Sequence, residues 1–314
     1  MGDEVRQLEE EWAAACGTKH AVAVSSCTAA LHLAAVGLWE PGAAVCVPSL
    51  TFVGAVDAVR QAGCTLKWQD IAGLAQPEAT CPNYPTDIQV CHYAGRVAPA
   101  LLYAQGYGLP IVAEDASHCY PGQGGVGWGA VACWSLHGTK NLTCGEGGML
   151  TTDRDAVAEA ARTLRRHGMA GTPGRRAGHY DVEAAGWNYA MSDVAAAIAR
   201  VQLARCAELT DRRRNVLYQY IRRLGCLASP SAHLAVLLVP KGVSRDGVRG
   251  ELTAAGIGTS IHYPPAHLLS TYRDGTTLPH TEAFAARCLS LPLHADMTPA
   301  DADVVCDEVE RCIG

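Results

Sequence analysis

One lysine stands where its amine could take part in covalent chemistry. Only four of the 25 Lys and Arg residues are lysines, and Lys140 follows an apolar run and precedes a Gly-rich turn. Ligands of open α/β sheets bind at the carboxyl edge of the strands, where such a lysine would lie. Its amine could condense with a carbonyl to form an imine. A surface lysine in a loop is the alternative, and this segment alone does not separate the two.

A carboxylate is predicted at the same edge of the sheet. The apolar run from Ile111 ends in Glu114 and Asp115, and His118 follows shortly after. Asp115 would therefore lie near Lys140 at the carboxyl ends of neighbouring strands. The alternative for Asp115 is a helix N-cap, a role that strand-ending aspartates often take.

A third segment, Ser25 to Leu31, joins a predicted strand to a predicted helix. The backbone N–H groups of Thr28 and Ala29, with the Thr28 hydroxyl, could hold a phosphate at the positive end of the helix dipole. A plain Ser or Thr N-cap is the alternative. An amine, a carboxylate and a phosphate site are the partners that pyridoxal 5′-phosphate (PLP) needs for its aldehyde, ring nitrogen and phosphate.

The elements that must position these groups alternate along the chain. Consecutive apolar positions are typical of strands that are covered on both faces. Strands are predicted at Ala21–Val24, Ala43–Val47, Ile88–Cys91, Ile111–Ala113, Ala130–Trp134 and Gly148–Thr151, with helices between them such as Thr28–Leu38 and Asp155–Arg166. We therefore predict an α/β fold with a mostly parallel central sheet.

The pattern changes near Ser192, which is predicted to cap an Ala-rich helix that runs to about Glu208. A strand at Leu234–Val239, a helix near Gly247–Ala255 and a closing helix after Thr298-Pro299 follow. The prediction is a large cofactor-binding α/β domain over residues 1–205 and a smaller α+β domain over residues 206–314.

Composition argues against several classes of protein. The net charge of −6 disfavours binding to nucleic acid, and no apolar run is long enough to span a membrane. The first 17 residues lack the apolar core of a signal peptide, so we expect a cytoplasmic protein. The 14 cysteines form no CxxC pair and are interpreted as buried thiols, so no metal site is expected.

Longer motifs extend over nearly the whole chain. They are Ser25–His32, Val47–Val53, Glu114–His118, Lys140–Thr143 with Gly145–Met149, Gly186–Tyr189, Gly256–Thr259 with His262–Pro265, and Leu289–His294. On these motifs the sequence resembles the DegT-type (DegT/DnrJ/StrS) sugar aminotransferases. The resemblance implies PLP-dependent enzymes of the aspartate aminotransferase fold (fold type I), with this chain as a compact member.

The resemblance implies roles around the cofactor ring. Lys140 would carry PLP as a Schiff base and, once released, move the substrate proton. Asp115 would pair with the ring nitrogen. Phe52 matches the aromatic that stacks on the ring, and His118 matches a residue near the ring and its 3-hydroxyl.

The resemblance also implies roles around the phosphate. Thr28, Ala29 and Ser135 match phosphate-binding positions. Asn188 matches an asparagine that reaches the phosphate of the neighbouring subunit, which implies a homodimer with shared active sites. His137 matches a residue that faces the same pocket and is a candidate substrate contact.

The sequence departs from the family pattern in ways that bear on the substrate. The usual N-terminal lead is absent, the stretch from Val59 to Pro110 is compact, and the strand at Leu234–Val239 replaces a longer aromatic segment. Cys27 replaces a small residue, and Ala190 replaces an arginine. The pairs and triplet Arg165-Arg166, Arg175-Arg176 and Arg212-Arg213-Arg214 could meet a diphosphate, although a solvated or interface surface is favoured.

Three functions are therefore weighed. The first is transfer of an amino group from glutamate or glutamine to a nucleotide-linked keto-sugar or a keto-cyclitol, in secondary-metabolite (antibiotic) or surface-sugar biosynthesis. The second is another PLP reaction on the same fold, such as elimination, decarboxylation or condensation. The third is a non-catalytic PLP-binding regulatory protein, which the presence of Lys140 and Asp115 disfavours.

Overall fold

The computed structural model describes residues 1–73, 76–80, 87–99, 101, 111–170 and 180–314. An eight-stranded sheet lies at its centre, in the order β1-β8-β7-β6-β5-β2-β3-β4. The strands are β1 (His20–Val24), β2 (Ala44–Pro48), β3 (Thr65–Gly73), β4 (Gln76–Thr80), β5 (Asp87–Cys91), β6 (Ile111–Asp115), β7 (Val131–Ser135) and β8 (Gly148–Thr152).

Strand direction confirms the prediction of a mostly parallel sheet. The pairs β3–β2, β2–β5, β5–β6 and β6–β7 are parallel. Strand β8 is antiparallel to both β1 and β7, and the edge strand β4 is antiparallel to β3. The carboxyl ends of β6 and β7 therefore lie side by side at one edge of the sheet.

Helices cover the sheet on both faces. They are α1 (Asp3–Cys16), α2 (Cys27–Leu38), α3 (Val53–Gln61), α4 (Asp155–Leu164), α5 (Asp193–Ala204), α6 (Cys206–Leu224), α7 (Arg245–Ala254), α8 (Pro279–Ala285) and α9 (Pro299–Ile313). Alternate residues of β1 face opposite sides. Ala21 and Ala23 join a core cluster with residues of α1 and α5, whereas Val22 and Val24 join a cluster with residues of α2 and α4.

The predicted helix start at Ser192 is confirmed, because Ser192 Oγ accepts a hydrogen bond from Ala195 N at 3.2 Å. The predicted end near Glu208 is wrong. The helix α5 ends at Ala204, Arg205 leaves the helical conformation, and Glu208 belongs to the next helix, α6. The two helices are separated by one residue, so the sequence shows them as one continuous helical pattern.

The C-terminal third builds a separate hydrophobic cluster. Strand β9 (Ala235–Leu238) pairs antiparallel with β10 (Cys288–Leu291), and side chains of α6, α7 and α9 pack against this pair. Thr298 caps α9 with a reciprocal capping box to Asp301. The division at residue 205 stays a prediction. Among the described residues, no helix is both long enough and apolar enough to cross a membrane.

Candidate active site

A cavity of about 500 Å³ opens at the carboxyl ends of β6 and β7. Six residues predicted from the sequence line it: Thr28, Phe52, Asp115, Ser135, His137 and Lys140. The remaining three, Ala29, His118 and Asn188, do not line it. The structure thus brings the predicted amine, carboxylate and phosphate-binding hydroxyls into one space.

The register of the sheet explains how two of these residues meet. Asp115 ends β6, Ser135 ends the parallel neighbour β7, and Lys140 lies on the turn that follows β7. That turn is closed by a hydrogen bond from Lys140 N to the His137 carbonyl at 2.9 Å. Asp115 and Lys140 line the same cavity, as the interpretation from the sequence requires.

The Lys140 amine is adapted to react as a neutral nucleophile. Burial lowers the pKa of Lys140, while the charge of Asp115 and nearby thiols oppose that effect in part. Burial disfavours the ammonium form because the charge loses its hydration. A neutral amine is the form that attacks a carbonyl.

Asp115 does not cap a helix, which removes the alternative raised for it. Only 4% of its surface is exposed, and its Oδ1 accepts a hydrogen bond from Ser117 N at 3.0 Å. Among the described residues, Oδ2 has no hydrogen-bond partner. One carboxylate oxygen at the cavity wall is therefore free to bind a protonated ligand nitrogen.

The turn before α2 differs in one detail from the expectation. Ser26 is the N-cap, and its Oγ accepts the hydrogen bond from Ala29 N at 3.1 Å. The N–H of Ala29 is therefore already engaged, whereas Thr28 lines the cavity at the positive end of the helix. The phosphate roles of Thr28, Ala29 and Ser135 stay predictions.

Gly148 of the Gly-rich segment packs closely against this turn. A Cβ added at Gly148, the first residue of β8, would lie 2.4 Å from the backbone of Ser26. The cap of α2 therefore rests directly on the β8 backbone, which only glycine permits. This contact gives a physical reason for Gly148 in the sequence motif.

His118 lies behind the cavity wall. The residue is 2% exposed, its Nδ1 is 3.2 Å from Ala94 N, and its Nε2 is 2.7 Å from Tyr263 Oη. Phe52 is on the open side of the cavity with 56% of its surface exposed, and its ring centroid is 6.1 Å from that of Tyr263. The stacking role of Phe52 stays a prediction.

Asn188 is exposed and outside its own cavity. Backbone hydrogen bonds hold its neighbours in place: Trp187 N donates to Leu164 O at 2.8 Å, and Tyr189 N donates to Arg165 O at 3.0 Å. A residue that serves another subunit must lie outside its own site, as Asn188 does. Its role there stays a prediction.

Several cavity residues were not assigned from the sequence. They are polar and come mainly from the C-terminal third: Ser117, Thr139, His233, Ser260, His262, Tyr263 and Ser290. His262 Nδ1 is 2.8 Å from Ser290 Oγ, and burial followed by the charge of Lys140 lowers the pKa of His262 to about 4. The motif at residues 262–265 was visible in the sequence, but no local pattern placed it at this cavity.

The described arginines of the three clusters lie away from the cavity. Arg165 is buried against Glu9 and the Ala23 carbonyl, and Arg212 pairs with Glu208 at 2.7 Å. Arg175 and Arg176 lie outside the described residues. No arginine in the described ranges lines the cavity.

These features fit PLP. The cavity holds an amine with a lowered pKa, a carboxylate with one unpaired oxygen and hydroxyls at a helix N-terminus. The mostly parallel sheet with this site at its carboxyl edge defines a PLP-dependent transferase of fold type I.

The chain belongs to the DegT/DnrJ/EryC1/StrS aminotransferase family, whose model matches residues 1–310. It is therefore a PLP-dependent aminotransferase, and the expectation of an enzyme of this family is confirmed. The match covers both the sheet with the lysine turn and the C-terminal third that completes the cavity.

Solved structures agree with this assignment. DesV of S. venezuelae, solved in complex with a ketimine intermediate, is 32% identical with a TM-score of 0.86, and the alignment covers 99% of this chain and 89% of that one. The aminotransferase TlmJ from Streptoalloteichus hindustanus is 30% identical with a TM-score of 0.88, covering 99% and 90%. Helicobacter pylori PseC, an aminotransferase of pseudoaminic acid biosynthesis, shares the fold at 20% identity and a TM-score of 0.90, covering 100% and 92%.

Proposed function

We propose that this enzyme moves an amino group from glutamate or glutamine to the ketone of a nucleotide-linked keto-sugar or a keto-cyclitol. The observation that carries the proposal is the shared cavity of Lys140 and Asp115, in which burial lowers the pKa of the amine. When bound, PLP supplies an aldehyde for the amine and a ring that withdraws electrons from the reacting carbon.

Different residues of the protein would have different roles around the cofactor. Asp115 would hold the ring nitrogen protonated through its free Oδ2, and Lys140 would move the proton at the substrate Cα. Thr28, with Ala29 and Ser135, would bind the phosphate at the positive end of α2. Phe52 would cover the ring and exclude water on the open side.

The polar lining supports an acceptor rich in hydroxyl groups. Thr139, Ser260 and Ser290 contribute hydroxyls to the cavity, and His137 and His262 contribute imidazoles. Such groups donate and accept hydrogen bonds with sugar or cyclitol hydroxyls. DesI, a solved relative at 30% identity, was crystallised in the presence of its TDP-sugar product, which favours the nucleotide-linked class.

We also propose a homodimer with shared active sites. Asn188 is exposed outside its own cavity, and α5 carries an apolar stripe of Val194, Ile198 and Val201 with exposed fractions of 74%, 47% and 61%. Residues spaced four and three apart lie on one helix face. A second copy would cover that face and bring Asn188 to the neighbouring phosphate.

The cytoplasm is the proposed location, since every described cysteine is a free thiol.

A spectroscopic experiment tests the reaction. Purified protein loaded with PLP should be yellow, and glutamate or glutamine should convert it to the colourless pyridoxamine form. A panel of keto-sugars and keto-cyclitols should restore the colour, and the one that does so identifies the acceptor. The Lys140→Ala variant should lack the starting band. A yellow protein that responds to no amino donor would contradict transamination.

A mixing experiment tests the shared site. If Asn188 serves the partner's cavity, Lys140→Ala and Asn188→Asp subunits should complement one another, because each mixed dimer then contains one site with both residues intact. Random mixing of equal amounts should restore about a quarter of the wild-type activity. No recovery after the subunits are shown to exchange would place Asn188 in its own site.

A further inference from the structure

Two buried histidines lie side by side at the cavity: His233 lines it, and His118 lies behind its wall. The ring centroids of His118 and His233 are 4.5 Å apart, and their exposed fractions are 2% and 6%. The backbone N–H of Ala94 can only donate, and it lies 3.2 Å from His118 Nδ1. Burial, followed by the charge of Lys140, lowers the pKa of His118 well below its usual value. The ring is therefore neutral, with its proton on Nε2.

His233 is fixed in the opposite tautomer. Asn141 Nδ2 donates to the Ser231 carbonyl at 2.6 Å, and because that carbonyl can only accept, Asn141 Oδ1 must face His233. His233 Nδ1, at 3.0 Å from Oδ1, therefore carries the ring proton. Burial, with His118 as the next cause, lowers the pKa of His233 well below its usual value. His118 thus has a neutral neighbour with a fixed proton.

The tautomer of His118 determines the direction in which the Tyr263 hydroxyl can donate its hydrogen. His118 Nε2–H donates to Tyr263 Oη at 2.7 Å, so the hydrogen of the phenol points away from His118. Burial raises the pKa of Tyr263, which keeps this hydrogen in place. Tyr263 lines the cavity, and in the described chain its hydroxyl has no partner other than His118. The O–H is therefore available to a ligand oxygen.

The amide that sets this arrangement is held in an unusual conformation. Ala94 has φ of 52°, in the left-handed region that non-glycine residues rarely adopt. Its carbonyl accepts hydrogen bonds from the hydroxyls of Ser229 and Ser231, which anchor it from the other side. Strained backbone that is held from several directions often belongs to a functional site.

We propose that Tyr263 donates the hydrogen bond to the 3-oxygen of bound PLP, and that His118 is a positioning residue that acts through Tyr263. The inference rests on the proposed function, since it assigns the cavity to PLP. The family resemblance puts His118 itself beside this oxygen, but in this chain the single N–H of its ring is engaged by Tyr263. Besides His118, the ionisable groups that influence the Tyr263 hydroxyl include Asp115 and the thiols of Cys27 and Cys91.

The first test reads the tautomers directly in cofactor-free protein. Histidine labelled with ¹⁵N should show His118 protonated on Nε2 and His233 protonated on Nδ1 at neutral pH, with the signals assigned from His118→Gln and His233→Gln variants. A proton on Nδ1 of His118, or a doubly protonated ring, would overturn the proposal. This measurement needs neither PLP nor substrate.

The second test titrates the visible absorbance of the PLP-loaded protein. Loss of the donor in Tyr263→Phe should make the 3-oxygen and the adjacent imine nitrogen more basic and raise the pKa of the colour change by about one unit. Tyr93→Phe is the matched control, because Tyr93 donates to the His262 carbonyl, packs edge-on against His118 and does not line the cavity. It should titrate like the wild type.

The outcomes separate the two proposals. A Tyr263→Phe variant that binds PLP and titrates like the wild type overturns the donor role alone. A wild-type protein that takes up no PLP overturns the proposed function and the donor role together, even where the tautomers are as described.

Discussion

Arg213 Nη2 donates a hydrogen bond to the backbone carbonyl of Lys140 at 3.3 Å, and Arg213 Nη1 donates to the Leu293 carbonyl at 3.0 Å. Arg213 lies on α6, is 7% exposed and forms no salt bridge in the described part of the chain. A buried guanidinium without a carboxylate depends on such carbonyl partners. It therefore ties the turn that carries Lys140 to the C-terminal third.

We predict that Arg213→Lys loosens this turn. An ammonium cannot reproduce the fork that reaches two carbonyls, so the free energy of unfolding should fall by about 1–3 kcal/mol. PLP affinity should fall by about tenfold. Urea denaturation and PLP titration measure the two effects. Arg212→Lys is the control, since Arg212 is exposed and pairs with Glu208 on its own helix. Equal losses in both variants would refute a specific role for Arg213.

A substitution under the α2 cap should weaken cofactor binding. In Gly148→Ala the new methyl would meet the Ser26 backbone at 2.4 Å, so the turn with Thr28 must move. We expect PLP affinity to fall by at least about tenfold, equivalent to about 1.4 kcal/mol. Fluorescence titration of cofactor-free protein with PLP measures it.

Gly138→Ala is the matched control for that substitution. Gly138 lies in the turn that carries Lys140, and among the described residues a Cβ there would meet nothing closer than the Gly145 carbonyl at 4.0 Å. Its PLP affinity should remain within about twofold of the wild type. If both variants bind PLP equally well, the cap does not depend on close contact with β8.

The lowered pKa of Lys140 predicts the direction in which the stability of the protein changes with pH. Because burial lowers it, the folded protein releases this proton at a lower pH than the unfolded chain. Between the two pKa values the unfolded state binds more protons, so this lysine increases stability as pH rises through that window. Below the pKa that Lys140 has in the folded protein, its ammonium is buried, and this contribution to the free energy of unfolding is lost.

Competitive acetylation of cofactor-free protein tests this shift. Mass spectrometry of the Lys140 peptide should show that its reaction with acetic anhydride begins at lower pH in folded protein than in urea-denatured protein. The same peptide thus serves as its own reference. A midpoint at equal or higher pH in the folded state would mean that Asp115 outweighs burial.

The residues best predicted from the sequence are those at strand ends. Asp115 and Lys140 follow short apolar strands, and the carboxyl ends of parallel neighbours must meet at one edge of the sheet. Their meeting therefore follows from the pattern and the topology together. The direction of β8 does not follow in this way, since an apolar run has the same appearance in a parallel and an antiparallel strand.

The remaining differences between the sequence-based predictions and the structure arise where the local sequence is compatible with more than one arrangement. Ser26 and Thr28 both carry a hydroxyl suited to capping α2, and the backbone conformation decides for Ser26. His118 and Tyr263 are separated by 145 positions, so their hydrogen bond appears only once the C-terminal third folds over the sheet. Contacts of this kind determine which donor reaches a ligand, and no periodicity encodes them.

The exposed stripe on α5 makes the last prediction, which concerns assembly. Its opposite face packs on α1 through Ala196 and Ala199, so the stripe is a second apolar surface on one short helix. Ile198→Glu should shift the protein from dimer to monomer and raise the dimer dissociation constant by about a hundredfold or more, because a carboxylate would be buried without a partner. Light scattering after size-exclusion chromatography measures the mass.

Val304→Glu is the control for this substitution, because Val304 on α9 is 64% exposed and lies on a different element from the stripe. It should leave the dimer intact. The Ile198→Glu monomer should also lose PLP affinity, since Asn188 could no longer reach a neighbouring phosphate. A monomer that binds PLP as tightly as the wild type would contradict the shared site, and an unchanged dimer would show that α5 lies outside the interface.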